Sequence, residues 1–230
     1  MNNVKSTIGW ADYTVNPITG RCPNNCWYCY ANRIYDRFKW NPKIRLCLER
    51  LEEIKKLKKP SRIFIGSTHD LFGDWILKKW IAWIVDFAFT ERQRGHTYFF
   101  LTKNPLRYAK DKFPDNCWAG VTHTGEPTNG CSTNGKLFSE ITIGWEHQPH
   151  CFLSCEPLLG DAVEIPSKCE WLIIGAMTGH GKKYQPKREW IENLVERAEA
   201  GNIPIYMKEN LRNAWWPNKL IQEFPKGVPV

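Results

Sequence analysis

Three cysteines stand close together in the segment TGRCPNNCWYCYANRIYDRF at 19–38. They are Cys22, Cys26 and Cys29. The residues from Tyr30 onward predict a helix, whose N-terminal amides would favour negative charge on nearby sulfurs. Soft thiolates select zinc, Cu(I) or an iron–sulfur centre rather than hard cations. The spacing therefore predicts a metal-binding loop at 20–30.

This loop has no fourth ligand close to it. A closed structural zinc site takes four protein ligands, but the next Cys or His after Cys29 is Cys47, inside a pattern that predicts a helix. An iron–sulfur cube held by three cysteines leaves one iron open to a substrate or cofactor. From the residues alone, a zinc loop and an open iron–sulfur cluster both remain possible.

Short β-rich runs alternate with amphipathic stretches along the rest of the chain. Strands are predicted near 8–15 and at 61–68, 96–103, 116–123, 150–157, 170–177 and 203–210. Helices are predicted at 43–57, 74–90, 104–112 and 187–200. Steady alternation of strand and helix predicts parallel pairing. We expect one α/β domain over 1–230, a partial TIM-like (β/α) barrel of about 6–7 parallel strands.

Polar side chains gather where these strands end, which is where barrel enzymes place function. The strand ends carry Thr68, His69, Asp70, Lys103, Thr122, His123, Cys155, Glu156, Met177, Lys208 and Glu209. A basic segment, GHGKKYQPKREW at 179–190, follows the sixth strand. Its candidate phosphate contacts are Lys182, Lys183, Lys187 and Arg188. Ordinary solubility charges at a helix entry explain the same segment.

Composition limits the class of partner. The chain has 32 Lys+Arg against 24 Asp+Glu, a net charge of +8 and a pI near 9.0, which favours a nucleotide or nucleic-acid partner. It shows no signal-peptide pattern and no apolar stretch long enough to span a bilayer. Its nine cysteines are an odd number, which a complete disulfide framework cannot use. We expect a cytoplasmic protein without a membrane partner.

The cysteine motif resembles the signature of the radical S-adenosylmethionine (SAM) superfamily, C-x3-C-x2-C with an aromatic residue, here Tyr28, before the third cysteine. The resemblance implies a 4Fe–4S cluster on Cys22, Cys26 and Cys29, with SAM bound to the fourth iron. It also implies an electron donor of flavodoxin or ferredoxin type, whose electron splits SAM into methionine and a 5′-deoxyadenosyl radical. That radical takes a hydrogen atom from the substrate. Tyr28 is expected to pack near the adenine.

The resemblance extends over nearly the whole chain. The segments GWADYTVNPITG, THDLFGDW, LTKNPLR, SCEPLLGD, WLIIGAMTG and NIPIYMKEN resemble, in order and spacing, a short phage-associated and bacterial branch of radical SAM-like proteins of unassigned reaction. Where that branch shows Gly-Gly-Glu-Ser-Gly after the sixth strand, this chain has GAMTG at 175–179. The acidic residue is missing, and Met177 is expected to line the adenine or substrate pocket instead.

The same resemblance implies roles for other residues at the strand ends. The loop with Thr68 and Asp70 is expected to hold SAM, with Asp70 on its amino group. The alternative for Asp70 is an N-cap of the following helix. Thr122 is expected to bind a ribose hydroxyl. Lys103 is expected to meet the SAM carboxylate or a substrate phosphate, or to be an ordinary surface lysine.

Cys155 ends a predicted strand and Glu156 follows it directly. By analogy with a DNA-lesion lyase of the superfamily, Cys155 is expected to return a hydrogen atom to the product radical. Glu156 would then orient the substrate or shuttle a proton. The alternative for Cys155 is a small buried residue that packs in the barrel. An auxiliary cluster built from other cysteines also stays open.

Three functions follow from these residues. The first is a radical SAM enzyme that acts on a nucleotide or a nucleic-acid base. The second is a thiolate–zinc protein whose basic rim binds nucleic acid. The third is a radical SAM enzyme that acts on a peptide or small metabolite.

Overall fold

The structure is a computed structural model that describes residues 1–110, 112–126, 137–179, 181–214, 216 and 219–229, without the side chains of 181, 182, 213 and 214. Its strands are β1 (Asn2–Asn3), β2 (Tyr13–Val15), β3 (Ile18–Thr19), β4 (Arg45–Leu46), β5 (Arg62–Ile65), β6 (Thr97–Thr102), β7 (Cys117–Thr122), β8 (His150–Cys155), β9 (Trp171–Ile174) and β10 (Ile205–Met207). Its α-helices are α1 (Tyr30–Phe38), α2 (Lys78–Thr90), α3 (Leu137–Trp145) and α4 (Arg188–Ala200). Short 3₁₀ helices cover Leu48–Lys56, Arg92–Arg94, Pro105–Lys110, Gly181–Tyr184 and Glu209–Ala214.

Eight strands form one curled sheet in the order β1-β2-β5-β6-β7-β8-β9-β10. β1 is antiparallel to β2, and every other neighbouring pair is parallel. β3 and β4 form a separate antiparallel pair. The predicted α/β domain with a mostly parallel sheet is therefore confirmed, and each predicted strand contributes to that sheet.

The two faces of the sheet bury different clusters because successive side chains of a strand point to opposite faces. One face packs against the helices, where Leu153 of β8 lies in the same cluster as Leu194 of α4. The other face is mainly aromatic and carries Phe99, Phe152 and Trp171. This aromatic layer closes the interior of the curled sheet below its carboxyl end.

The N-terminal segment fills the interior from the open side of the sheet. Trp10 is 1% exposed and its ring lies 4.9 Å from Phe64 and 6.2 Å from Trp171, between ring centroids. Gly9 has φ +81°, and a Cβ there would meet the Tyr206 hydroxyl of β10 at 2.3 Å. Glycine therefore lets this segment lie directly against the last strand.

Two predicted helices take another form. The stretch 43–57 contains β4 and a 3₁₀ helix, because β4 pairs with the distant β3, a tertiary contact that overrides the local pattern. Among the described residues of the stretch 104–112, the chain forms the short 3₁₀ helix from Pro105. Helix α3 was not predicted, and its Gly144 lies so close to this turn that a Cβ would meet the Pro105 carbonyl oxygen at 2.2 Å. In the described residues, no helix is both long and apolar enough to cross a membrane.

Candidate cluster and cofactor site

A cavity of about 610 Å³ lies at the carboxyl ends of the parallel strands. Its walls come from the cysteine loop, α1 and the segments that follow β2, β5, β6, β8, β9 and β10. The predicted site residues in its lining are Cys22, Cys26, Tyr28, Cys29, Thr68, Asp70, Lys103, Thr122, Glu156 and Met177. The structure thus brings together side chains that the sequence separates by up to 155 positions, from Cys22 to Met177.

The cysteine loop leaves β3 through a tight turn at Gly20. Gly20 has φ +104°, and a Cβ there would meet the Ile44 Cα at 2.6 Å. Its N–H donates to the Tyr35 hydroxyl at 2.7 Å, and the Arg21 N–H donates to the Pro42 carbonyl at 2.9 Å. These contacts fix the first half of the loop, and the second half ends at Cys29, which directly precedes α1.

The three thiols have unequal surroundings. Cys22 is buried, whereas Cys26 and Cys29 are partly exposed. Burial raises the pKa of the Cys22 thiol to about 11, and the backbone N–H groups of Asn24 and Asp70 oppose this by donating to its sulfur. These donors are suited to a thiolate that a metal centre has deprotonated.

The donor set is compatible with an iron–sulfur cluster. Within the described part of the chain, no three His, Cys, Asp or Glu side chains already surround one point as ligands of a single ion. A cluster does not require such a point, because each cysteine binds a different iron. Three thiols in the lining of one cavity supply the ligand type and number that an open-cornered cluster requires.

Asp70 ties the cysteine loop to the sheet. Its carboxylate accepts from the Asn24 side-chain amide at 3.0 Å and the Lys103 N–H at 2.9 Å. It also accepts from the Thr102 hydroxyl at 2.7 Å and the Phe72 N–H at 3.0 Å. These four bonds use about all the acceptor directions of a carboxylate. The structure therefore supports a positioning role for Asp70 rather than the predicted contact with an amino group.

The alternative prediction for Asp70, an N-cap of the following helix, is wrong. Helix α2 begins at Lys78 and its N-cap residue is Leu77. Asp70 instead closes a local turn through the Phe72 N–H, a contact that short carboxylate side chains commonly make.

His69 makes a second link between the loop and the sheet. Its Nδ1 lies 3.1 Å from the Gly20 carbonyl, and its Nε2 accepts from the Trp75 indole at 2.8 Å. The neutral tautomer with hydrogen on Nδ1 satisfies both contacts. Burial lowers the pKa of His69 and keeps this neutral form at neutral pH.

Glu156 and Lys208 form an ion pair in the cavity wall. Their side chains are 25% and 10% exposed, so the pair is largely desolvated. Gly175 lies between them, and a Cβ there would meet the Glu156 Cγ at 3.0 Å and the Lys208 Cδ at 3.1 Å. The sequence places both residues at strand ends, but it carries no signal that pairs residues 52 positions apart.

The GAMTG turn after β9 is held from two sides. Asn210 bonds both backbone groups of Ala176, at 2.7 and 3.1 Å. Arg33 of α1 donates to the carbonyls of 178 and 179 at 3.0 and 3.2 Å. Met177 is 4% exposed and lies in the cavity lining, and its predicted contact with the adenine or the substrate stays a prediction.

Cys155 lies away from the cavity, contrary to the expectation that it reaches a substrate. It is fully buried in the helix-side cluster together with Leu153, whereas Phe152 belongs to the interior face of β8. Burial raises the pKa of its thiol. This position favours the alternative, a small residue that packs in the core.

The basic segment after β9 divides into two parts. Lys187 and Arg188 form ion pairs with Glu189 and Glu192 on α4, at 3.6 and 2.7 Å, as solubility charges do. Lys183 is exposed, and its ammonium lies 5.1 Å from the centroid of the Tyr184 ring. The side chain of Lys182 lies outside the described residues.

Sequence reasoning missed Asn16. This residue follows β2 and lines the cavity, and its side-chain oxygen accepts from the Thr68 N–H at 3.1 Å and the Ser67 hydroxyl at 3.2 Å. Thr68 therefore lies in the cavity wall with its backbone N–H hydrogen-bonded to Asn16. The signal for Asn16 was present in the segment GWADYTVNPITG, where a polar residue directly follows the first predicted strand.

A protein family described as "Protein of unknown function (DUF5131)" matches residues 5–224. The match includes the cysteine loop, the strands β2 to β10 and all the cavity-lining residues after Val4. No curated protein and no solved structure matches the chain.

Proposed function

The chain belongs to the DUF5131 family, and we propose that it is a radical SAM enzyme on a partial TIM-like (β/α) barrel. One observation carries the proposal: the cysteine motif lines a cavity at the carboxyl ends of parallel strands, where barrel enzymes place their active sites. Cys22, Cys26 and Cys29 would hold the 4Fe–4S cluster. The cavity volume of about 610 Å³ suits a ligand of the size of SAM.

When bound, the cluster and SAM would supply a 5′-deoxyadenosyl radical that takes a hydrogen atom from the substrate. The chain's own residues would hold and orient the cofactor. Tyr28 offers a ring to the adenine, and Thr122 offers a hydroxyl to the ribose. Lys103, whose ammonium lies 5.8 Å from the Tyr28 ring centroid, offers a positive charge to a carboxylate. Asp70 and His69 keep the cysteine loop on the sheet.

Glu156 and Lys208 are the charged pair that the cavity offers to a substrate. A substrate with both a donor and an acceptor can bond to the two side chains at once. Together with the net charge of +8, this favours a nucleotide or a nucleic-acid base as substrate. We place the reaction in the cytoplasm, with an electron donor of flavodoxin or ferredoxin type.

Metal analysis of anaerobically purified protein tests the ligand assignment. We expect a brown protein with about four irons per chain. Cys26→Ala should lose this iron, and the matched control Cys47→Ala should keep it, because Cys47 lies outside the cavity lining. A colourless protein with about one zinc per chain would replace the proposal with the thiolate–zinc alternative.

A further inference from the structure

A row of three aromatic rings runs from the cavity to the protein surface. Tyr28 lines the cavity, and the Trp27 ring lies 5.6 Å from it between centroids. The Tyr184 ring follows at 4.8 Å from Trp27. Trp27 is 42% exposed although tryptophan is a large apolar residue. The row therefore begins within the cysteine loop, where Trp27 presents aromatic surface to solvent, and ends at Tyr184.

A lysine stands at each end of this row. The Lys103 ammonium lies 5.8 Å from the Tyr28 ring centroid, at the cavity end. The Lys183 ammonium lies 5.1 Å from the Tyr184 ring centroid, at the surface end. A positive charge thus stands at each end of the row of rings, in a chain whose net charge is +8.

Aromatic rings combined with lysines match the chemistry of a single-stranded nucleic acid. Unpaired bases stack on aromatic side chains, and the phosphates between them pair with cations. A duplex hides the faces of its bases within its own stack, so it gains little from an exposed ring. Enzymes that act on a base need it outside the duplex, so a single-strand site beside the cavity also suits delivery.

We propose that Trp27, Tyr184 and Lys183 form a platform that binds single-stranded nucleic acid and directs one nucleotide towards the cavity. The delivery part of this inference rests on the proposed function. The binding part does not, because the platform lies on the surface and requires neither the cluster nor SAM.

The test is fluorescence anisotropy with the full-length anaerobic protein and labelled oligonucleotides of about 12 nucleotides. The probes are single-stranded DNA, single-stranded RNA and the DNA duplex of the same sequence. Both single strands, or one of them, should bind more tightly than the duplex, and affinity should fall as salt rises. A preference for DNA or RNA identifies the sugar and supports the platform in either case.

Variants locate the binding. Trp27→Ala and Tyr184→Ala should each weaken single-strand binding by about tenfold, and Trp27→Phe should retain most of it because it keeps a ring. Trp83→Ala is the matched control, because Trp83 on α2 is 48% exposed and has the Lys79 ammonium 5.8 Å from its ring centroid. The Trp83→Ala variant should bind single strands with the affinity of the unmodified protein. Tyr184 lies outside the cysteine loop, so its variant reports on binding even if Trp27→Ala disturbs the loop.

The results separate the two claims. Unchanged affinity in both Trp27→Ala and Tyr184→Ala, or equal affinity for duplex and single strand, would overturn the platform. Formation of 5′-deoxyadenosine without oligonucleotide binding overturns the platform and leaves the proposed function standing. If the protein binds oligonucleotides through the platform but never cleaves SAM, the platform stands and the proposed function is overturned.

Discussion

At the scale of residues, Asp70 decides how firmly the cysteine loop is held. Its carboxylate joins Asn24 of the loop to Thr102 and the Lys103 backbone at the end of β6. All of its partners are hydrogen-bond donors. An asparagine at this position would have one acceptor oxygen in place of two, so it could not accept from all of them. The bond between Asn24 of the loop and the sheet thus depends on one charged acceptor.

We predict that Asp70→Asn lowers the free energy of unfolding by about 1–3 kcal/mol and reduces the iron retained per chain. Urea denaturation and iron analysis check this, with the exposed Asp161→Asn as control. If Asp70 instead binds the SAM amino group, Asp70→Asn will keep its iron and raise only the KM for SAM. That result would contradict the positioning role.

The Glu156–Lys208 pair gives a second prediction. Lys208→Met leaves the Glu156 carboxylate without its partner in a largely desolvated wall, so it should cost about 2–4 kcal/mol of stability. The exposed Lys187→Met, which breaks the pair with Glu189, should cost less than about 1 kcal/mol. Denaturant midpoints measure both changes. If the two variants lose equal amounts of unfolding free energy, burial of the Glu156–Lys208 pair does not contribute to stability.

At the scale of elements, the predictable part of the fold is the sheet. Runs such as HTYFFLTK at 96–103 predicted β6 to within a residue at each end, because β-branched and aromatic residues dominate them. Since parallel strands end at one edge, most of the predicted strand-end residues also lie together in the cavity lining, with Cys155 as an exception. The pairing of β4 with β3 was not predictable, because the partner stands far away in sequence.

The face of a strand was also not predictable where both faces are buried. In HCFLSCEP at 150–157, nearly every residue is apolar or small, so the pattern does not show which side is interior. The structure places Phe152 and Glu156 towards the interior and Cys155 towards the helices. One step along the strand therefore separates a cavity residue from a core residue.

Buried histidines at the ends of strands make stability depend on pH. Burial lowers the pKa of His123, after β7, from 6.5 to about 4, and it also lowers the pKa values of His69 and His96. In the unfolded chain these groups take up protons below pH 6.5, whereas the folded chain resists this until lower pH. The stabilising contribution of neutral His123 is therefore fully present above pH 6.5 and is lost as the pH drops towards 4.

We predict that His123 alone accounts for about 3 kcal/mol of this loss, and that His123→Gln flattens the dependence. Urea denaturation, repeated in steps of about half a pH unit between pH 8 and 4, measures the free energy of unfolding at each pH. A stability that stays constant from pH 6.5 to 4 would contradict the buried, neutral state of these histidines.

At the scale of the whole molecule, the open sheet explains where the site lies. An aromatic layer around Trp10 fills the interior of the curl, and the cavity lies against this layer at the carboxyl end, where the cysteine loop meets the strands. The platform of Trp27, Tyr184 and Lys183 lies beside that space. The cavity, the cysteine loop and the platform thus lie at one end of the protein.

The most direct test of the central claim is the formation of 5′-deoxyadenosine by the anaerobic, chemically reduced protein supplied with SAM. The unmodified protein and Cys47→Ala should both form it, and Cys26→Ala should form none, because Cys26 lies in the cavity wall and Cys47 does not. Mass spectrometry of the reaction measures the product. Absence of 5′-deoxyadenosine from iron-loaded protein, or equal amounts from Cys26→Ala, would contradict the radical SAM assignment.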